Sequence, residues 1–191
     1  MKSEKLYQKY SNGRHWENHP TVYAETFAKF LKEVGFGGLL VDIGCGNGRD
    51  VDCFVKMGFR SIGVDNKTDE VALSRKNYPE LTFEVQDVEK LKLADNSVDA
   101  FYMINVIHYV DKEKAISEIV RALKPNGYFF VHFNIEISDK TGKVDYSYKL
   151  EDVAGLTAKF SLIDQVVFER TDYVPVEHKH KVLELIIQKP S

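Results

Sequence analysis

Apolar and polar positions fall into blocks along this chain. Gly38–Ile43, Ser61–Asp65, Leu81–Val85, Val98–Ile107 and Tyr128–Phe133 are short, near-continuous apolar runs, the pattern of strands covered on both faces. Helical spacing separates most of them. It runs from Asn47 to Met57, from Asp69 to Asn77 and from Lys112 to Leu123, where Ala115, Ile116, Ile119, Val120 and Leu123 share a face. Lys124-Pro125-Asn126-Gly127 is a stop before the fifth run. Ahead of the first strand, Thr21–Val34 has helical character. Near the end, a helix around Leu150–Lys159 precedes Leu162–Arg170 and Val182–Lys189, two strands with no helix between them. Such a pair is a hairpin, so the pattern predicts an α/β fold with a doubly wound, mostly parallel sheet and one late antiparallel strand.

Composition narrows the function classes. The chain has 191 residues, 43% hydrophobic and 29% charged, with a net charge of −3. That size suits one domain, and the charge lacks the basic excess of a nucleic-acid grip. No run approaches the ~20 apolar residues that cross a bilayer. The N-terminus is charged and leads into no apolar run. Two cysteines, Cys45 and Cys53, fit neither a disulfide framework nor a thiolate zinc site. The expectation is a cytoplasmic protein with no nucleic-acid or membrane partner.

The chemistry concentrates at Asp42-Ile43-Gly44-Cys45-Gly46-Asn47-Gly48. A strand entering a glycine turn that opens a helix bares backbone N–H groups at the carboxyl edge of the sheet, where α/β folds bind ligands. A dinucleotide fingerprint needs G-x-G-x-x-G/A, and its third small residue would fall on Arg49 or Val51, so that reading fails. Asp65 follows Gly44 by 21 residues, close to the ~20 that sheet geometry sets for an acid at the end of the second strand. It has the alternative of capping the next helix, although Thr68 and Asp69 are better placed for that.

The D-x-G-x-G-x-G turn resembles the first motif of class I S-adenosylmethionine-dependent methyltransferases. Ser61–Asp65, Phe83–Val88, Asn96–Tyr109 and Ala122–Gly127 resemble, in order, the second, third and fourth motifs and the turn before strand five. The likeness is strong over 38–134. It implies a Rossmann-like seven-stranded sheet, S-adenosyl-L-methionine as cofactor and S-adenosyl-L-homocysteine as product. It further implies cofactor contacts from Asp42, Gly44, Cys45, Gly46, Gly48, Asp65, Asn66, Asp87, Val88 and Asn105. Asp42 is expected to accept loop N–H groups or to meet the ligand's ammonium. Cys45 is read as a small turn residue, not a nucleophile.

Around this core, residues 1–35 form an N-terminal appendage, in which Arg14 and Trp16 either close over the ligands or belong to a helix docked on the sheet. Arg14 suits a carboxylate, and Trp16 is the corresponding acceptor-side candidate. Residues 36–134 are the cofactor core, and 135–191 supply the acceptor side: a loop, a helix and the final hairpin. His108, just after strand four, is the candidate catalytic residue and lines the acceptor site together with Tyr146, His178 and His180. The i, i+2 spacing of His178 and His180 puts both rings on one strand face, but no third ligand at suitable spacing is apparent, so no metal is assigned. The fourth motif lacks the Asn-Pro-Pro of enzymes that methylate base or amide nitrogens. The expected function is in-line methyl transfer to a small-molecule acceptor. The alternative is a non-catalytic cofactor-binding regulatory or scaffold protein of the same fold.

Overall fold

The computed structural model describes residues 19–148, 155, 157–173 and 175–191. Helix α1 (Val22–Glu33) starts at Thr21, whose hydroxyl accepts the Ala24 amide, and buries Ala24, Phe27, Ala28 and Leu31 at helical spacing. Strand β1 (Leu39–Ile43) leads through the glycine turn to α2 (Arg49–Lys56), then β2 (Arg60–Asp65), α3 (Thr68–Asn77) and β3 (Thr82–Val85). Strand β4 (Val98–Ile104), α4 (Lys112–Ala122), β5 (Leu123–Asp139), β6 (Val144–Ser147), β7 (Ser161–Asp172) and β8 (His178–Gln188) complete the chain. Among the described residues, no helix is long and apolar enough to cross a membrane.

The sheet runs β3-β2-β1-β4-β5-β8-β7, with β6 attached to β5 off this path. The first five are parallel; β8 is antiparallel to both β5 and β7. Strand alternation builds two cores. Val41, Ile43, Phe101, Met103, Phe129, Val131 and Leu185 face Ile116 and Ile119 of α4. Leu40, Tyr102, Phe130 and Ile186 face Phe27 and Leu31 of α1 and Phe54 of α2. This is the predicted doubly wound arrangement: seven strands along the main path, with β6 as an addition.

Three expectations change. Strand four ends at Ile104, not Ile107, because Asn105 turns the backbone at φ +57°. Strand five is far longer than Tyr128–Phe133. Lys124–Gly127 is absorbed as an irregularity between the Val98–Leu123 and Ala100–Tyr128 pairs, and beyond Phe133 the strand continues to Asp139 because β8 pairs with it to the end. The expected loop after strand five is therefore a hairpin, β5 to β6. Its Asp139–Gly142 turn is closed by the Asp139 carboxylate, which accepts the Thr141 and Lys143 amides. The expected helix near Leu150–Lys159 lies largely outside the described residues.

Candidate active site

The glycine turn forms one wall. The Gly44 and Cys45 amides both donate to the Val64 carbonyl, at 2.7 and 3.1 Å, which folds the turn back over β2. Gly46 has φ +50°, and a Cβ built there meets nothing nearer than Glu70 Oε2 at 3.9 Å, so this backbone borders open space. Gly48 caps α2 at φ +87°, and a Cβ there would lie 2.7 Å from the Phe83 ring; this glycine serves packing.

Three carboxylates surround the turn. Asp65 accepts the Gly46 amide at 3.1 Å and the Lys67 amide at 2.9 Å, so of the turn N–H groups expected for Asp42, that of Gly46 goes to Asp65 and those of Gly44 and Cys45 to the Val64 carbonyl. The cap position before α3 is Lys67, not Thr68 or Asp69 as the sequence suggested, and the Asp65 carboxylate accepts the Lys67 amide there. Asp42 is 3% exposed, and burial, reinforced by Asp50 and Asp65 and opposed by Arg49, pushes its carboxyl well above the usual range. Asp50 accepts the Thr21 amide at 2.7 Å and the Thr21 hydroxyl at 3.0 Å, and the Tyr102 hydroxyl donates to it at 3.3 Å. Burial raises its carboxyl, with the Thr21 bonds opposing. The Cys45 thiol is buried, raised by desolvation and by Asp42, and packs where Gly63 leaves room, as a turn residue does.

Glu70, on the first turn of α3, was missed by the sequence reading. Its Oε2 is buried with no hydrogen-bond partner among the described residues, and burial raises its carboxyl. A buried carboxylate oxygen beside an open glycine cradle fits a ligand rich in hydroxyl and amino donors. The signal available beforehand was one acid five residues after Asp65, which ordinary helix-start chemistry explains equally well.

The loop after β4 forms the second wall. Val106 presses on the turn, since a Cβ at Gly44 would come within 2.2 Å of Val106 Cγ2. Asn105 Oδ1 accepts from Asn134 Nδ2 at 3.0 Å, and Asn134 Oδ1 accepts from His180 Nδ1 at 2.9 Å, joining the loop after β4 to β5 and β8 in one chain of bonds. His108 is buried against Tyr109 and 5.9 Å from Tyr146, so those two expected acceptor-side residues do meet. Desolvation, with nearby His132 and His180, lowers His108 to about 3. His132 bonds Glu184 at 3.1 Å and lies under Tyr23; burial lowers it as well.

His178 and His180 are buried with ring centroids 4.6 Å apart. The third side chain that the spacing lacked is Asp172, brought opposite His178 by strand pairing; its Oδ2 is 3.3 Å from His180 Nε2. Elsewhere, Asp87 is exposed and one of its oxygens accepts the Glu89 amide. Asn66 is exposed beside Asp65, and Val88 is buried in the core. Arg14 and Trp16 lie outside the described residues.

A family model described as a methyltransferase domain matches residues 41–131. A probable S-adenosylmethionine-dependent methyltransferase of Mycolicibacterium smegmatis is 32% identical over 105 residues, 54% of this chain and 41% of the relative. A tRNA (carboxymethyluridine(34)-5-O)-methyltransferase of Arabidopsis thaliana is 30% identical over 112 residues, 54% of this chain and 26% of the relative. The chain thus spans less than half the length of the curated relatives it matches. Among solved structures, a SAM-dependent methyltransferase of Methanosarcina mazei superposes with a TM-score of 0.68 at 20% identity, covering 81% of this chain and 93% of that one.

Proposed function

Since residues 41–131 match a methyltransferase-domain model, we propose that this chain is a class I S-adenosylmethionine-dependent methyltransferase that transfers a methyl group to a small-molecule acceptor. In this reading residues 1–191 act as one cytoplasmic methyltransferase domain. The observation that carries it is the glycine cradle, open at Gly46 and flanked by Asp65 and by a Glu70 oxygen with no hydrogen-bond partner among the described residues. Bound S-adenosylmethionine supplies an electrophilic methyl on a sulfonium.

The residues then have distinct tasks. Asp65 has lone pairs beyond the two amides it accepts, and with Glu70 it receives ribose hydroxyls. Asp42 and Asp50 lie where an ammonium is welcome, since a cation would relieve the raised carboxyl of Asp42. Val88 supplies an apolar surface for adenine, with Asn66 and Asp87 at the rim. Asn105, held by Asn134, fixes the loop that separates cofactor from acceptor. Tyr146, His108, His178 and His180 surround the acceptor.

His108 is not a strong proton acceptor in this setting. A ring whose conjugate acid sits at about 3 stays neutral at physiological pH and takes protons weakly. Its role here is to position the acceptor in a dry pocket, and the reaction relies on in-line placement, an effect of up to ~7–11 kcal/mol. That favours acceptors already nucleophilic without deprotonation. The net charge of −3 supports a small molecule over an RNA backbone.

Calorimetric titration with S-adenosylmethionine and S-adenosylhomocysteine tests the reading, with NAD(P)H as the control ligand. The expected result is micromolar binding of both sulfur ligands, weakened ~10-fold or more, about 1.4 kcal/mol, by Asp65→Ala. Glu70→Gln, which leaves the loop amides in place, should weaken it as well. Failure of either sulfur ligand to bind overturns the proposal. Binding without turnover of any acceptor returns the function to a non-catalytic cofactor binder.

A further inference from the structure

We propose that Asp172, His178 and His180 bind one divalent first-row transition-metal ion, with zinc as the probe. Both histidines project from the same face of β8 and are 0% and 5% exposed. The β7–β8 register sets Asp172 opposite His178 and Arg170 opposite His180. One ligand atom from each of Asp172, His178 and His180 lies within 4.8 Å of the other two.

The outer contacts of the rings assign their electron pairs. Nδ1 of His178 faces the Val176 carbonyl, which can only accept, so the neutral ring carries its proton on Nδ1 and its lone pair on Nε2. Nδ1 of His180 faces Asn134 Oδ1, and the Asn134 amide is oriented by its own donation to Asn105. His180 therefore also presents Nε2 as an electron-pair donor, toward Asp172. An imidazole that donates Nδ1–H to an oxygen acceptor while its Nε2 faces a carboxylate, as His180 does, is arranged as a metal ligand is, and His178 shares the outer half of that arrangement, the partner fixing tautomer and ring angle.

Arg170 orients the carboxylate through both of its oxygens. Its Nε is 3.0 Å from Asp172 Oδ1, one of its terminal nitrogens donates to Oδ2 at 3.2 Å, and the other donates to the Tyr23 hydroxyl. Two imidazoles and one carboxylate suit zinc or a neighbouring transition ion better than calcium or magnesium, which prefer all-oxygen shells. Bonds of ~2.0–2.2 Å require the three atoms to draw together from their present separation. Three protein ligands leave a coordination position open for water or an acceptor atom. The His180–Asn134–Asn105 chain links the ion to the loop beside the glycine turn.

The competing occupant is a proton: His180 as an imidazolium paired with Asp172. Chelator-stripped protein titrated with Zn²⁺ by calorimetry and with Co²⁺ by visible absorption separates the two, without cofactor or acceptor. The outcome is therefore independent of whether the methyltransferase reading holds. One equivalent should bind, with the intense cobalt bands of a low-coordinate site. Asp172→Asn and His180→Ala should weaken zinc by about 100-fold or more, and Asn134→Ala by about 10–100-fold through loss of the orienting acceptor. Should a substitution prevent folding, the wild-type chain still decides, because the imidazole ¹⁵N resonances of His178 and His180 must shift when zinc is added. No binding at millimolar metal, zinc affinity unchanged in Asp172→Asn and His180→Ala, or unshifted resonances in zinc overturn the site and leave the ion pair.

Discussion

Burial among Asp50 and Asp65 outweighs the opposing charge of Arg49 and holds the Asp42 carboxyl well above the usual carboxylate range. A carboxyl raised in the fold binds more protons than in the unfolded chain at any pH above its ordinary value near 4. Ligand-free stability is therefore lost as pH rises from there through the folded value, by at most about 1.4 kcal/mol per pH unit. Asp42→Asn should flatten that decline and raise the melting temperature at pH 8 relative to pH 5, as thermal denaturation would record. The two inner glycines should separate stability from binding. Both replacements strain a positive φ, at roughly 1–2 kcal/mol. Gly48→Ala must also displace the Phe83 ring and should lower the denaturation midpoint further, whereas Gly46→Ala projects into the cradle and should cost mainly cofactor affinity in calorimetry. The glycines, Asp42 and Asp65 were legible as members of one turn and the strand beside it because turn chemistry is local. Their division of labour was not: which carboxylate takes the Gly46 amide depends on how β1 and β2 come together.

Helix α1 reaches the site through its first residue. Thr21 caps the helix, and its hydroxyl and amide both bind Asp50 of α2, with the Tyr102 hydroxyl of β4 2.8 Å from the Thr21 hydroxyl. Thr21→Ala should cost at least the ~1–2 kcal/mol of a lost cap and leave two buried polar groups short of a partner. Urea denaturation measures the first effect. A parallel loss of cofactor affinity would report the second, because Asp50 adjoins Asp42. The helix itself was readable from apolar residues at positions 24, 27, 28 and 31. Its attachment was not, since residues 21, 50 and 102 share no local pattern. Strand β5 makes the same point in reverse. Its central apolar run announced a strand, while its extension to Asp139 reflects eleven residues of β8 pairing alongside it.

At the scale of the molecule, β4 and β5 lie inside the sheet and β8 pairs with strands on both sides, and amide exchange should be slowest at the buried Tyr102, Phe130 and Ile186. Comparable exchange across the sheet, measured by mass spectrometry, would contradict that ranking. The sequence by itself determined the parallel half of the sheet, the order of its strands and helices, and the glycine turn at their carboxyl edge. Each depends on periodicity or turn chemistry contained within a few dozen consecutive residues. Tertiary structure decided the rest: Asn105 bonded to Asn134, His108 shut in beside His132 and His180, and Asp172 delivered to His178 and His180. Those contacts join side chains brought together by strand pairing and layer packing, and the spacing of residues along a chain carries no record of which strands will lie side by side.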